Sequence, residues 1–200
     1  MKRNNTKGFT LIELLIVIGI LGILAAVVAL AINPAEMLRR SRDSQRISDL
    51  GTMQTAINLA LADTSISLGG TPNTTYASIA TASGVADLTP FTIAGLPDPD
   101  IFTDIAAANL QLNNGNGWIP VNFGAVSSGA PISALPVDPR NEVDPANPAN
   151  DYVYRFAHNG TSYKLDCMLE SSQNDDREDN DGGNNGDRYE IGTNITFASN

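Results

Sequence analysis

A long apolar run near the N-terminus constrains this chain more than any other feature. The run from Leu14 to Ile32 holds 19 consecutive residues without a charged or strongly polar side chain. As a helix rising about 1.5 Å per residue it would extend roughly 28 Å, which nearly matches the hydrocarbon core of a bilayer, about 30 Å thick. Glu13 stands directly before the run. A carboxylate inside a membrane costs about 2.5–3.5 kcal/mol, so we expect Glu13 to have a function.

Two common interpretations of the apolar run do not explain the presence of Glu13. Basic residues precede the run at Lys2, Arg3 and Lys7, and Ala29–Ala31 supplies a small-x-small pattern, so a secretory signal peptide is one interpretation. A plain membrane anchor is the other. Either segment would insert more easily without the glutamate. A third interpretation therefore has to account for the charge itself.

The residues around Glu13 supply that interpretation. The stretch Gly8-Phe9-Thr10-Leu11-Ile12-Glu13 resembles the processing site of type IV prepilins and of the pseudopilins of type II secretion. The resemblance implies that a membrane peptidase cuts between Gly8 and Phe9 and that Phe9 is then N-methylated. It also implies that Glu13 meets the α-amino group of a neighbouring subunit during assembly.

Such a pairing makes physical sense of a charge in the membrane. Two buried charges that are costly alone become tolerable when they are paired and hydrogen-bonded. A subunit displaced along the filament axis would leave both charges unpaired, so the contact would also set the register. On this interpretation Phe9 and Glu13 are assembly residues, and neither is catalytic.

Composition and motifs argue against several other functions. The net charge is −10 and the isoelectric point is near 4.3, which disfavours nucleic-acid binding, because that depends on Lys and Arg contacts with phosphates. A single cysteine, Cys167, and a single histidine exclude an internal disulfide and a Cys/His zinc site. Phosphate-binding, nucleophile-elbow and zinc-protease motifs are missing from the sequence. The chain is therefore predicted not to be an enzyme.

The remaining sequence predicts an α+β, pilin-like fold: a long N-terminal helix packed against a C-terminal antiparallel sheet. The helix is expected to be interrupted at Asn33-Pro34, because proline cannot continue the hydrogen-bond ladder. Five segments follow from this prediction, namely a cleaved leader (1–8), a transmembrane and assembly helix (9–33), its amphipathic continuation (34–63), a variable connecting segment (64–134) and a sheet region (135–200) with an acidic loop (171–190).

Apolar residues recur every three or four positions in the amphipathic continuation, which places them on one helix face. They are Ile47, Leu50, Met53, Ile57 and Leu61. Four arginines of the same helix are predicted to form a solvated face: Arg39, Arg40, Arg42 and Arg46. The alternative is contact with acidic surfaces of neighbouring subunits. Without the leader the chain has 22 acidic and 12 − 3 = 9 basic residues, a net charge of −13 that would otherwise repel.

The C-terminal third has the pattern of a β-hairpin. Alternating residues up to Phe156, a tight turn at Asn159-Gly160 and a return strand through Cys167 predict two paired strands. Cys167 is expected to be a buried, inert thiol. In the connecting segment, Trp118 and Phe123 are expected to be packing residues.

The acidic loop has two interpretations. It holds seven carboxylates and is rich in Asn and Gly, which is typical of a solvated loop. The alternative is a calcium site, since calcium takes six to eight oxygen ligands and the resemblance to major pseudopilins implies one in this region. The first ligands to consider are Asp179, Asp181 and Asp187; the spacing is not that of an EF-hand.

The resemblance also implies partners and a location. We expect a polymer of this chain with related minor subunits, a prepilin peptidase and methyltransferase, and an inner-membrane assembly platform. The precursor would lie in the bacterial cytoplasmic membrane, and the filament would be extracellular or periplasmic, serving adhesion, motility or secretion. A pseudopilin is the main alternative to a pilin. A membrane-anchored enzyme or binding domain that uses the acidic loop is the remote one, because a hydrophilic loop offers no apolar surround to raise a carboxyl pKa.

Overall fold

A computed structural model describes residues 8–63, 66–80, 91–92, 105–143, 151–196 and 198–199. The chain divides into two compact units, Met1–Arg39 and Arg40–Asn200. The first unit contains the apolar helix and the first turns of the next helix. The second contains the remainder of that helix and the sheets. The long apolar helix followed by a helix and an antiparallel sheet confirms the predicted α+β, pilin-like fold class.

Helix α1 runs Leu11–Ile32 and is capped by Thr10. By length and composition its segment Leu11–Val28 is long and apolar enough to cross a membrane, and none of it is buried within the chain. Helix α2 runs Pro34–Ala62. Between the two helices Asn33 adopts a left-handed conformation, with φ 44° and ψ 76°, which asparagine tolerates better than most residues. Proline then suits the first position of α2, where its missing N–H costs nothing. The predicted interruption is confirmed.

The second unit is built on a four-stranded antiparallel sheet with the order β1-β3-β4-β5. Two further short strands, β2 and β6, form a separate antiparallel pair. The bounds are β1 Thr75–Ala77, β2 Phe91–Thr92, β3 Arg155–His158, β4 Tyr163–Cys167, β5 Tyr189–Gly192 and β6 Ala198–Ser199. Because β1 pairs with β3, the connecting segment contributes an outer strand to the sheet.

The core lies where α2 packs on the sheet. Leu50, Met53 and Ile57 are fully buried, while Ile47 and Leu61 are partly buried against the same cluster, which confirms the predicted face. Trp118, Phe123 and Cys167 are fully buried in this core, as expected. Burial raises the pKa of the Cys167 thiol well above its usual value, which keeps it protonated and unreactive.

The predicted hairpin forms, but its turn is longer than expected. His158 pairs with Tyr163, so four residues connect β3 and β4. The Asn159 side chain explains the length: its Oδ1 accepts hydrogen bonds from the amides of Thr161 and Ser162, at 3.0 and 2.8 Å. This side-chain turn needs the two extra residues, and Gly160 supplies the positive φ of 95°.

The acidic loop has more regular structure than expected. A 3-10 turn, Ser172–Asn174, leads into a short helix α3, Asp175–Asp179. Its first turn carries three acidic residues, which suits the positive end of a helix dipole. The chain then passes through residues 180–188 into β5.

Candidate assembly site

The first turn of α1 holds Glu13 in a reciprocal capping arrangement with Thr10. The Thr10 backbone N–H and hydroxyl both donate to Glu13 Oε2, at 2.8 and 2.7 Å. In return the Glu13 backbone N–H donates to Thr10 Oγ1 at 3.3 Å. This is a capping box, which satisfies two otherwise unpartnered backbone donors of the helix. The carboxylate also lies at the positive end of the helix dipole, where negative charge is stabilised.

Only one oxygen of Glu13 is used in this arrangement. In the described part of the chain, Oε1 accepts no hydrogen bond, and the residue is exposed. A carboxylate can accept several hydrogen bonds, so the group keeps capacity for a donor from outside its own chain. Sequence reasoning identified Glu13 as the unusual residue but not Thr10 as its partner. The spacing Thr-x-x-Glu before an apolar run was the available signal.

Gly8 and Phe9 lie immediately before the helix. Both are outside regular structure, and the Phe9 side chain is 93% exposed. Among the described residues, a Cβ placed on Gly8 would meet nothing within 4 Å.

Up to Val28, α1 exposes apolar side chains on every face. The large exposed ones are Leu11, Ile12, Leu14, Leu15, Ile16, Val17, Ile18, Ile20, Leu21, Ile23, Leu24, Val27 and Val28, each at least half exposed. Soluble monomers rarely expose contiguous apolar patches of more than a few hundred Å². A helix that is apolar all round is covered by lipid or by other protein.

A buried ionic cluster ties α2 to the C-terminal region, and it corrects the expectation of a solvated arginine face. Arg46 is completely buried. Its Nε and Nη2 donate to both oxygens of Asp138, at 2.6 and 2.9 Å. Its Nη1 lies 2.9 Å from Asp43 Oδ1 and 2.8 Å from Glu170 Oε1. Carboxylates distant in sequence thus draw this arginine into the protein.

The same cluster fastens the start of the acidic loop. Asp43 accepts hydrogen bonds from the backbone amides of Glu170 and Ser171, both at 2.9 Å. Arg42, half-buried, adds a two-pronged contact to Glu170 at 2.7 and 2.5 Å. Burial alone would raise the pKa of Glu170, but the hydrogen bonds from Arg42 and Arg46 lower it below its usual value. The region beyond β4 is therefore held by charge pairs, in a chain that has no second cysteine.

A second buried cluster lies on the sheet. Arg155 donates to both oxygens of Asp166 at 2.8 and 2.5 Å, and Arg188 lies 3.0 Å from the same carboxylate. Burial raises the pKa of Asp166, yet the two guanidinium groups outweigh burial and lower it below its usual value. Lys164 pairs with Glu190 beside them. These pairs connect β3, β4 and β5.

The structure does not bring the three candidate calcium ligands together. Asp181 is engaged by backbone amides, with Oδ1 accepting from Gly183 at 2.6 Å and Oδ2 from Glu190 at 2.5 Å. Asp179 and Asp187 are exposed. Across the described residues, no three His, Cys, Asp or Glu side chains come together in a way that could hold a metal ion. The geometry thus supplies no ligand set, and calcium stays a prediction.

Comparison with known proteins agrees with the geometry of the N-terminus. Residues 3–29 match the family model of the prokaryotic N-terminal methylation motif. Over 58 residues the chain is 50% identical to a type IV major fimbrial protein FimA of Dichelobacter nodosus, a stretch that covers 28% of this chain and 35% of the relative. Two further FimA sequences from that organism match over the same length, at 50% and 48% identity.

The similarity is local. The matched stretch is about a third of the length of these curated relatives. No solved structure matches the chain. The methylation motif, the capping glutamate and the fimbrial relatives nevertheless agree with one another. The N-terminal segment of the chain is therefore similar to that of type IV pilins.

Proposed function

We propose that this chain is the structural subunit of a type IV pilus-like filament. Its precursor is inserted in the cytoplasmic membrane through α1, cleaved between Gly8 and Phe9 and methylated on Phe9. The mature subunit then polymerises through the same helix. The methylation motif at residues 3–29 supports the processing steps.

One observation carries the proposal: a glutamate in the first turn of an apolar helix that no other described part of the chain buries between Leu11 and Val28. Thr10 holds one carboxylate oxygen of Glu13, while Oε1 is available. After cleavage, Phe9 of another subunit carries an α-amino group with an ordinary pKa near 7.7–8.0. A Glu13 carboxylate paired with that ammonium would satisfy both charges inside the bundle of apolar helices.

Partners follow from this mechanism. Copies of the chain and related minor subunits cover α1 in the filament, while a prepilin peptidase with methyltransferase activity and a membrane assembly platform act before that. The relatives are fimbrial proteins, which favours an extracellular pilus over a secretion pseudopilus. Adhesion and motility are the corresponding roles.

Mass spectrometry of the mature protein from its own cell envelope tests the processing. We expect the chain to begin with N-methylated Phe9. A chain that begins near Ile32 would mean ordinary secretion and would overturn the proposal. An intact N-terminus that still carries residues 1–8 would equally contradict it.

Assembly is tested separately with Glu13→Ala. We expect the variant to be inserted and cleaved, to retain the folded second unit and to form no filaments. Glu36→Ala is the matched control, because it removes a glutamate from the first turn of α2, outside the proposed span. Filaments from Glu13→Ala at the wild-type level would contradict the assembly role.

A further inference from the structure

A cleft of about 410 Å³ opens on the surface of the second unit. It lies between the stretch that leads into β1 and the loop that carries Trp118. The cleft volume falls within the range of about 300–1,000 Å³ that is usual for small-molecule sites. The lining residues are Gly70, Thr71, Tyr76, Ile105, Asn109, Leu112, Gly115, Asn116, Gly117 and Pro120.

The backbone around the cleft is closely packed. A Cβ on Gly70 would lie 2.2 Å from the Tyr76 hydroxyl, and a Cβ on Gly117 would lie 2.0 Å from the carbonyl oxygen of Leu112. Backbone hydrogen bonds brace the loop from within, from Leu112 N to Asn109 O at 3.0 Å and from Trp118 N to Leu110 O at 3.1 Å. A site fixed before its ligand arrives loses little conformational entropy on binding.

The chemistry of the lining is neutral and polar. Among the residues that the structure describes, the lining includes no Asp, Glu, Lys, Arg or His, although the chain as a whole has a net charge of −10. The Tyr76 hydroxyl is occupied, because it accepts a hydrogen bond from the Thr71 backbone N–H at 2.7 Å. The side-chain amides of Asn109 and Asn116 are exposed, and in the described part of the chain neither makes a hydrogen bond.

These features select one class of ligand. The described lining residues offer no counter-charge to a charged ligand, and a purely apolar ligand would cover two amides without replacing their bonds to water. Each amide offers both a donor and an acceptor, which matches the hydroxyl groups of a sugar. Ile105 and Leu112 provide apolar surface for the C–H face of a sugar ring. We propose that this cleft binds a short neutral saccharide.

The proposal stands apart from filament assembly, since all its residues belong to the second unit and none to α1. The test uses the full chain in the sugar-free detergent lauryldimethylamine oxide. Saturation-transfer NMR is recorded with lactose, maltose and N,N′-diacetylchitobiose as probes. We expect transfer to at least one of them, and the dissociation constant is then measured by titration.

Variants locate the site. Asn109→Ala with Asn116→Ala removes both amides and should weaken binding about tenfold or more, the effect of two lost hydrogen bonds. Asn109→Trp should abolish binding by filling the cleft. Gln111→Ala is the matched control, because Gln111 is an exposed amide of the same loop that does not line the cleft. Its affinity should equal that of the wild type, and all variants should keep the wild-type melting temperature.

Two results would overturn the proposal. One is the lack of saturation transfer to all three saccharides at millimolar concentration. The other is binding that survives both cleft variants unchanged, which would place the sugar elsewhere on the chain. Neither result would affect the proposed filament, which is tested by Phe9 methylation and by Glu13→Ala.

Discussion

Glu178 is a carboxyl group that the fold buries beside other acids. It is 8% exposed, and its Oε1 accepts a hydrogen bond from the Leu169 backbone N–H at 2.9 Å. Burial is the main cause that raises the pKa of Glu178, to about 7; Asp175 and Asp43 also raise it, while the hydrogen bond from Leu169 and the charge of Arg188 lower it. A carboxyl pKa that is higher in the folded state means that the folded state binds the proton more tightly than the unfolded chain does. Stability is therefore full below the unfolded pKa and is lost as the pH rises towards about 7.

Replacing Glu178 with glutamine should remove this cost. The amide oxygen keeps the bond to Leu169, and no charge has to be buried. We expect Glu178→Gln to raise the melting temperature at pH 8 and to change it little at pH 5. Each unit of pKa shift corresponds to about 1.4 kcal/mol. Asp176→Asn, an exposed acid of the same short helix, is the control. Equal shifts at both pH values would contradict the explanation.

The contacts of Arg46 depend on the planar shape of its guanidinium group as well as on its positive charge. The flat group contacts Asp138 with two nitrogens and reaches two further carboxylates, all without exposure to solvent. Lysine keeps the charge but cannot make the two-pronged contact. Breaking a buried pair typically costs about 3–5 kcal/mol. We expect Arg46→Lys to lower the free energy of unfolding by about 2–4 kcal/mol in urea denaturation.

Arg39→Lys serves as the comparison for that experiment. Arg39 lies on the same helix and is half exposed, with Glu36 at 3.8 Å. Exposed ion pairs contribute little, so the free energy of unfolding should change by less than about 0.5 kcal/mol. If Arg46→Lys were as mild as Arg39→Lys, the buried cluster would not hold the C-terminal region.

At the scale of secondary-structure elements, the start of α1 shows how a helix cap orients a functional side chain. The Thr10 hydroxyl bonds both the Glu13 backbone and its carboxylate, so the cap also directs the carboxylate. We expect Thr10→Val, which removes the hydroxyl at nearly equal size, to reduce filament yield while membrane insertion and cleavage continue. Thr10→Ser keeps the hydroxyl and should restore assembly.

Loss of a helix cap costs about 1 kcal/mol, which is small beside the stability of an inserted apolar helix. Equal filament yields from Val and Ser would mean that the cap has no part in orienting Glu13.

At the scale of the whole molecule, the acidic loop is held by hydrogen bonds from backbone amides to its own carboxylates. Asp181 accepts two amide hydrogen bonds, and Glu190 Oε2 accepts from Asn184 and Asn185 at 2.8 and 3.3 Å. We therefore expect EDTA to leave the melting temperature of the full chain unchanged. A fall in melting temperature that calcium restores, and that Asp187→Asn prevents, would instead support the calcium prediction made from composition.

Local patterns predicted much of this fold. The three- and four-residue spacing of Leu50, Met53 and Ile57 predicted the buried face of α2, and Pro34 predicted the break after α1, since both depend on neighbours along one helix. The hairpin was predicted from alternation and from Asn159-Gly160. Its turn length was wrong, because the Asn159 side chain bonds two successive amides, and sequence alone does not select that bond.

The candidate site was likewise predicted in part from local sequence and decided in part by the tertiary structure. The sequence by itself determined the long apolar run, the unusual position of Glu13 beside it and the processing motif, because each consists of residues within one turn or one continuous run. Only the tertiary structure decided that Arg46 is buried, that Asp43 and Asp138 surround it, and that Asp181 bonds backbone instead of joining Asp179 and Asp187. The contact between Arg46 and Asp138 joins positions 92 residues apart. From the sequence alone, a charged residue is expected to be exposed to solvent. Only the tertiary structure shows which charged side chains have partners that offset the free-energy cost of leaving water.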